Sequence, residues 1–363
     1  MATQFLQSYF DGMQYVLTSD ISSLRASTDK KRIDVSMTCD NGLDGCIETF
    51  YASSLYAFDN VVELPDAGSL IEEYFRLRNK VIDTVTIVFD DISVDVNCLY
   101  CEYAMPEGFN PENSFFIAAA AQRVHQDSTV AIAAVSRGDS VPFAIKAVGH
   151  SLSDGGLCAV EKSVVQPFNQ ECTTYFRVAD VIQLALDNSD NSTAEPLRDV
   201  LYFSIDYAGI QKMCFIVPAP AYLTFSFRNA FNVEESLDVV GVMTTKTEVS
   251  RDVVVCGGHS IQYDRAIART YQVQTEPLPQ EEVCIFEQFL ASHRVSLRLD
   301  DYECDIIIAD HTCEPSSDDE SLATVKFTWR FAGQRPRIFA SLMDGTMPSR
   351  RKIFDDTFSP EYE

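Results

Sequence analysis

A chain of 363 residues, 46% of them apolar and with a mean hydropathy of −0.05, has the makeup of a folded protein with room for two or three domains. Its 54 acidic against 28 basic residues leave a formal charge of −26, which repels phosphate backbones and anionic lipid, so neither nucleic acid nor membrane is an expected partner. No stretch nears the roughly 18 apolar residues of a membrane span, and the start, MATQFLQSYFDGMQYVLTSD, lacks the pattern of a secretory leader, so synthesis in the cytosol is expected.

The first elements are short and strand-like. KRIDVSMTC and TVTIVFD alternate or are rich in Val and Ile, with the turn DNGLDG between them. A helix with Leu70, Ile71 and Phe75 on one face separates two of the strands. The same order of strand, helix, strand, turn and strand returns later, with Val181, Ile182 and Leu186 on the second helix. At a constant offset of 116 residues Asp90 matches Asp206 and Cys98 matches Cys214, while Ile87 and Phe89 meet Phe203 and Ile205. Proline-containing stretches, AMPEGFNPEN and VPAPAY, follow the two copies. The expected organisation is a β-sandwich over 1–105, a second copy over 106–218, a third β-sandwich over 219–340 and an extended arm over 341–363. The fold class is therefore mainly β, with tandem β-sandwich domains that each carry one short helix.

The third unit opens with YLTFSFRNAFNV and IARTYQVQT, both alternating, and continues with a helix near 279–292. Pro279, Glu281 and Glu282 suit its first turn, and Val283, Phe286, Phe289 and Leu290 form its apolar stripe. Three strands follow. The last, LATVKFTWRF, puts Ala323, Val325, Phe327, Trp329 and Phe331 on one face. Trp329 is then either core or, if that face is open, a platform for stacking a sugar. In the tail, Arg350, Arg351 and Lys352 form a dense basic cluster beside Phe354 and Phe358, and these five residues are the candidate contacts for an acidic neighbouring subunit.

The segment RTYQVQTEPLPQEEVCIFEQFLASHRVSLRLDDYECDIIIADHTCEPSSDDESLATVKFTWRFAG resembles the ring-forming domain of phage distal tail proteins. The likeness lies in a strand, a helix with a large apolar residue late in it, a short L-x-L-D-D strand, a hairpin and a long final strand. The whole chain is also similar to structural proteins encoded beside tail genes in prophages of gut bacteria. The resemblance implies a virion subunit in the distal tail or baseplate that joins copies of itself in a ring, six-fold in this family, and meets other tail proteins. Distal tail proteins place this domain first, whereas here the matching unit comes last.

Motifs for chemistry are sparse. Eleven cysteines at scattered spacings read as free thiols, and Cys98 and Cys101 make a C-x-x-C without the second pair a zinc ribbon needs. Of the five histidines (His125, His150, His259, His293 and His311), His311 stands near Cys313 and His259 near Cys256 in CGGH, but neither pair has further ligands in view. GHSLSDGG lacks a nucleophile elbow, and no phosphate-binding glycine loop occurs. DNGLDG and DNSDNS read as turns rather than calcium loops, the second having Ser192 and Arg198 where glycine and glutamate belong. No cofactor, metal or catalytic residue is expected. The alternative to a virion subunit is a receptor-binding protein whose tandem sandwiches hold a host surface glycan.

Overall fold

The computed structural model describes residues 3–6, 15–41, 45–106, 108–137, 141–169, 172–187, 196–218, 223–299, 302–313 and 322–333. The fold is mainly β, with three α-helices among the described residues.

In the first unit a small sheet holds β1 (Gln4–Phe5), β3 (Ser23–Ser27) and β6 (Val61–Pro65). A larger one holds β2 (Val16–Leu17), β4 (Arg32–Asp40), β5 (Ile47–Tyr56), β7 (Ile82–Phe89) and β8 (Ile92–Leu99), in the order β2-β8-β7-β4-β5. Alternation sets the faces: Ile33, Val35, Met37 and Cys39 of β4 are buried, and Arg32, Asp34 and Asp40 stay outside. Helix α1 (Ala67–Arg78) lays Ile71, Tyr74 and Phe75 on the core shared by both sheets, against Leu24, Val62, Val85 and Ile87. It stops where Asn79 turns into the left-handed region and donates its N–H back to the Arg76 carbonyl.

The second unit uses β9 (Ala121–Val124), β10 (Thr129–Ala133), β11 (Phe143–His150), β12 (Leu157–Val164), β13 (Thr173–Arg177), α2 (Val178–Leu186), β14 (Tyr202–Tyr207) and β15 (Ile210–Ile216). Its sheets run β9-β15-β14-β11-β12 and β10-β13, so strand order, direction and helix position match those of the first unit, β1 apart. The match differs in one respect from the sequence alignment. The closing pairs of the two hairpins, Phe89 with Ile92 and Tyr207 with Ile210, put Phe89 opposite Tyr207, an offset of 118 rather than 116. A slip of two residues keeps every side chain on its face, so apolar alternation alone does not detect it.

The third unit is one seven-stranded sheet built from β16 (Leu223–Arg228), β17 (Glu234–Val239), β18 (Gly241–Cys256), β19 (His259–Thr275), β20 (Val295–Leu299), β21 (Tyr302–Thr312) and β22 (Lys326–Phe331). Its order is β17-β16-β20-β21-β22-β19-β18. The two edge strands, β17 and β18, are joined by Val240 alone, so Val239 and Gly241 are two Cα steps of about 3.8 Å apart. The sheet therefore rolls until its edges meet at that corner. Gly241 makes the corner possible, because a Cβ there would lie 2.1 Å from the Gln274 carbonyl oxygen. Helix α3 (Gln280–Ala291) packs Phe286 and Phe289 into the roll with Phe225, Phe327 and Trp329. Trp329 is 0% exposed and stacks on Tyr271 at 4.3 Å, which assigns it to the core and removes the sugar-platform reading.

The units meet at the β16–β17 turn. Asn232, left-handed at φ 61°, donates its side-chain amide to the carbonyls of Phe75 and Lys80 at the end of α1. Asn229 donates to the Phe116 carbonyl in the linker between the first two units and to Glu235 Oε1. Phe231 joins Leu17, Val81, Leu99, Phe116, Ala131 and Ala133 in an apolar cluster drawn from all three units. Beside it Glu235 is 5% exposed and Lys212 of β15 is 0% exposed, with Nζ and Oε2 3.2 Å apart. The second Glu235 oxygen accepts from the Ala118 N–H and from Asn229, both at 2.6 Å.

Removing one partner of a buried pair strands the other charge. Glu235→Ala should lower unfolding stability by about 3–5 kcal/mol, measured by urea denaturation, since it orphans the Lys212 ammonium and two amide donors. Glu63→Ala, at an exposed pair with Arg25, should cost no more than about 1 kcal/mol.

Candidate assembly surface

The residues singled out in the sequence for chemistry do not converge. Cys98 and Cys101 are both buried, and burial raises their thiol pKa values, as it pushes Cys39 and Cys214 up to about 12. None of the eleven cysteines forms a disulfide, and among the described residues no three His, Cys, Asp or Glu side chains form a metal cluster. His150 pairs through Nδ1 with Asp199 at 2.9 Å, while the Ser151 hydroxyl is engaged with Ser153. The five candidate contacts Arg350, Arg351, Lys352, Phe354 and Phe358 lie outside the described residues, as does most of DNSDNS.

Two cavities bear on function. One of about 100 Å³ lies in the seam between the second and third units, below the several hundred Å³ of a typical small-molecule site. Gln122, Arg123 and His125 line it from one side, and Asp238, Glu276 and Glu282 from the other. Arg123 holds Glu282 at 2.7 Å, and Asp238 takes hydrogen bonds from Ser128 and Thr224. A shallow groove of about 530 Å³ on the outer face of the first unit has Asp34, Ser36, Ala52, Ser54, Val88 and Asp90 on its floor, with no aromatic ring for a sugar to stack on.

The feature that the fold itself does not use is the β18–β19 hairpin. Its base is sheet: Met243, Tyr271 and Val273 are core, and β22 pairs with β19 from Tyr271 to Gln274. From Lys246 to Cys256 every β18 residue is exposed and no third strand is present among the described residues. The projecting part is 11 residues on β18, or roughly 35 Å at about 3.4 Å per residue. Cys256 and His259 close it across Gly257 and Gly258, both at positive φ, which is the two-residue turn that suits strand twist, so CGGH is a hairpin tip. A bulge beside Asp252 and Val253 bends the arm. Val249, Val253, Val254, Val255 and Ile261 are all in solvent. Sequence reading saw the β19 end of this hairpin and passed over β18, because Lys246, Glu248, Arg251 and Asp252 break the apolar alternation there.

Acid should act first on the seam. Burial holds the His125 imidazole below its ordinary pKa, against the opposing pull of Asp238 and Asp127, while Arg123 lowers it further. With the folded value depressed, the unfolded chain takes the proton first, so this stabilisation is complete above the ordinary histidine value near 6.5 and falls away as pH drops below it. Melting temperature followed from pH 8 to pH 5 should decline more steeply for the natural chain than for His125→Gln.

No protein-family model and no curated protein matches the chain. Among solved structures, the phage p2 baseplate in its activated conformation with Sr shares 13% identity with this chain, covering 38% of it and 58% of that chain, at a TM-score of 0.23. The same baseplate with Ca shares 14% over the same fractions, at 0.22. The chain thus spans 58% of the length of these baseplate chains.

Proposed function

We propose that the chain is a non-enzymatic structural subunit of a tailed-phage tail or baseplate. Its third unit joins copies of itself in a closed ring, six-fold if the likeness to distal tail ring domains extends to symmetry, and its first two units project from that ring. The observation that carries this reading is the β18–β19 arm. A two-stranded ribbon in water is marginal at best, and one that shows a row of valines to solvent fits a role in contact with a partner. A head-to-tail contact repeated around a ring distributes function over a surface, in keeping with a chain whose cavities are small or shallow. The resemblance of the segment from Arg269 to Gly333 to the distal tail ring domain supports placing such an assembly in a phage tail. On this reading Arg350, Arg351, Lys352, Phe354 and Phe358 add a second tether to an acidic neighbour.

Native mass spectrometry and negative-stain microscopy of the full chain, alone and with neighbouring tail proteins, should find closed rings. Replacing residues 246–269 with a two-residue turn should leave the melting temperature within a few degrees of the natural chain's, since Lys246–Cys256 are exposed throughout, and should abolish ring formation. A chain that stays monomeric under all these conditions overturns the reading.

A further inference from the structure

Sheet edges are ready templates for another strand, and folded proteins protect long ones with charge, proline or brevity. Most edges here are protected in one of those ways. β12 carries Glu161 and Lys162 at its centre, and β17 carries Glu234, Glu235 and Asp238. β6 ends in Pro65, β2 has two residues and β9 four. Two edges are long. One is β18, the last strand of the rolled sheet, with 16 residues. The other is β5, ten residues at the end of the larger sheet of the first unit, with no partner on its outer side among the described residues. Its single charge, Glu48, is held by Arg78 at 2.6 Å, and from Thr49 to Tyr56 the strand reads TFYASSLY, without a charge or a proline. Ile47 at one end and Tyr56 at the other are 76% and 74% exposed.

We infer that the β18 edge of the arm in one copy adds as a further strand to the β5 edge of the first unit in the next copy. This rests on the ring reading and names the contact that closes the ring. Charge selects the occupant. Residues 1–105 hold 17 acidic and 7 basic side chains, whereas the hairpin from Gly241 to Thr275 holds 4 basic and 3 acidic ones. In a chain of charge −26, copies repel through most of their surfaces, and the arm is the described projecting element that an acidic first unit accepts. Length agrees as well, because the exposed run from Lys246 to Cys256 is as long as β5. Main-chain hydrogen bonds would supply the affinity, and the valines at 249, 253 and 255 would lie beside the apolar ends of β5. The contact is heterologous, arm to edge, and so repeats around a ring without using up its own donor surface.

The test is concentration-dependent light scattering of the full chain, joined to amide hydrogen exchange. On assembly, amides of residues 47–56 and 246–256 should slow together. Ala52→Lys and Val254→Lys, both at exposed positions, should each weaken self-association by at least about tenfold, the scale of a misplaced interfacial charge. Leu157→Lys on the β12 edge should leave it unchanged. Rings that form with unaltered exchange in 47–56 and shrug off Ala52→Lys overturn the arm-to-edge contact and leave the ring reading standing. A chain that never self-associates removes the ring reading and this inference with it.

Discussion

The buried pair of Lys212 and Glu235 constrains how the whole molecule is put together. Neither charge reaches water, so each depends on the other and on the amide donors of Ala118 and Asn229 for its solvation. Such a pair adds little net stability over a well-packed apolar alternative, but it tolerates almost no displacement, because a shift of one partner leaves a charge uncompensated. Lys212 belongs to the second unit, Glu235 to the third, and Ala118 to the linker. The same turn plugs Asn232 into the carbonyls that end α1 and Phe231 into an apolar pocket made by the first two units. The three units are thereby held against one another through this turn.

The rolled sheet solves a related problem. A flat seven-stranded sheet would leave its apolar face bare, whereas Val240 draws the edges together at one corner and α3 fills the interior. Tyr271 and Trp329 stack at the point where β19 leaves the core. The strand pair that lines the roll continues beyond it as the arm, so the arm is a cantilever whose root is clamped by aromatic packing and whose far end has no support of its own. Interior and projection come from one hairpin, which couples the placing of the arm directly to the core.

Electrostatics gives the surfaces different tasks. A formal charge of −26 makes most surfaces of two copies repel each other. The arm and the run of β5 from Thr49 to Tyr56 are two stretches where acid is sparse. At the seam cavity, carboxylates and a guanidinium face a buried imidazole, His125.

The sequence by itself determined the β character, the helices and much of the core, since burial on a strand follows a period of two and on a helix a period of 3.6. Ile71 and Phe75 on α1, Phe286 and Phe289 on α3, and the alternating set from Ala323 to Phe331 all lie where the pattern placed them. The cysteines were legible as thiols from their odd number and spacing, and none is disulfide-bonded in the structure. Other features were decided only in three dimensions. The offset between the two similar units depends on hairpin register, which a two-residue slip leaves invisible to apolar alternation. The arm was hidden because a ribbon with both faces in water has no period to detect. The closing of the third sheet hangs on one residue between two edges, and the Lys212–Glu235 pair on residues that are ordinary surface types in their own segments. Local sequence records which face of an element is buried; long-range pairing decides what it is buried against.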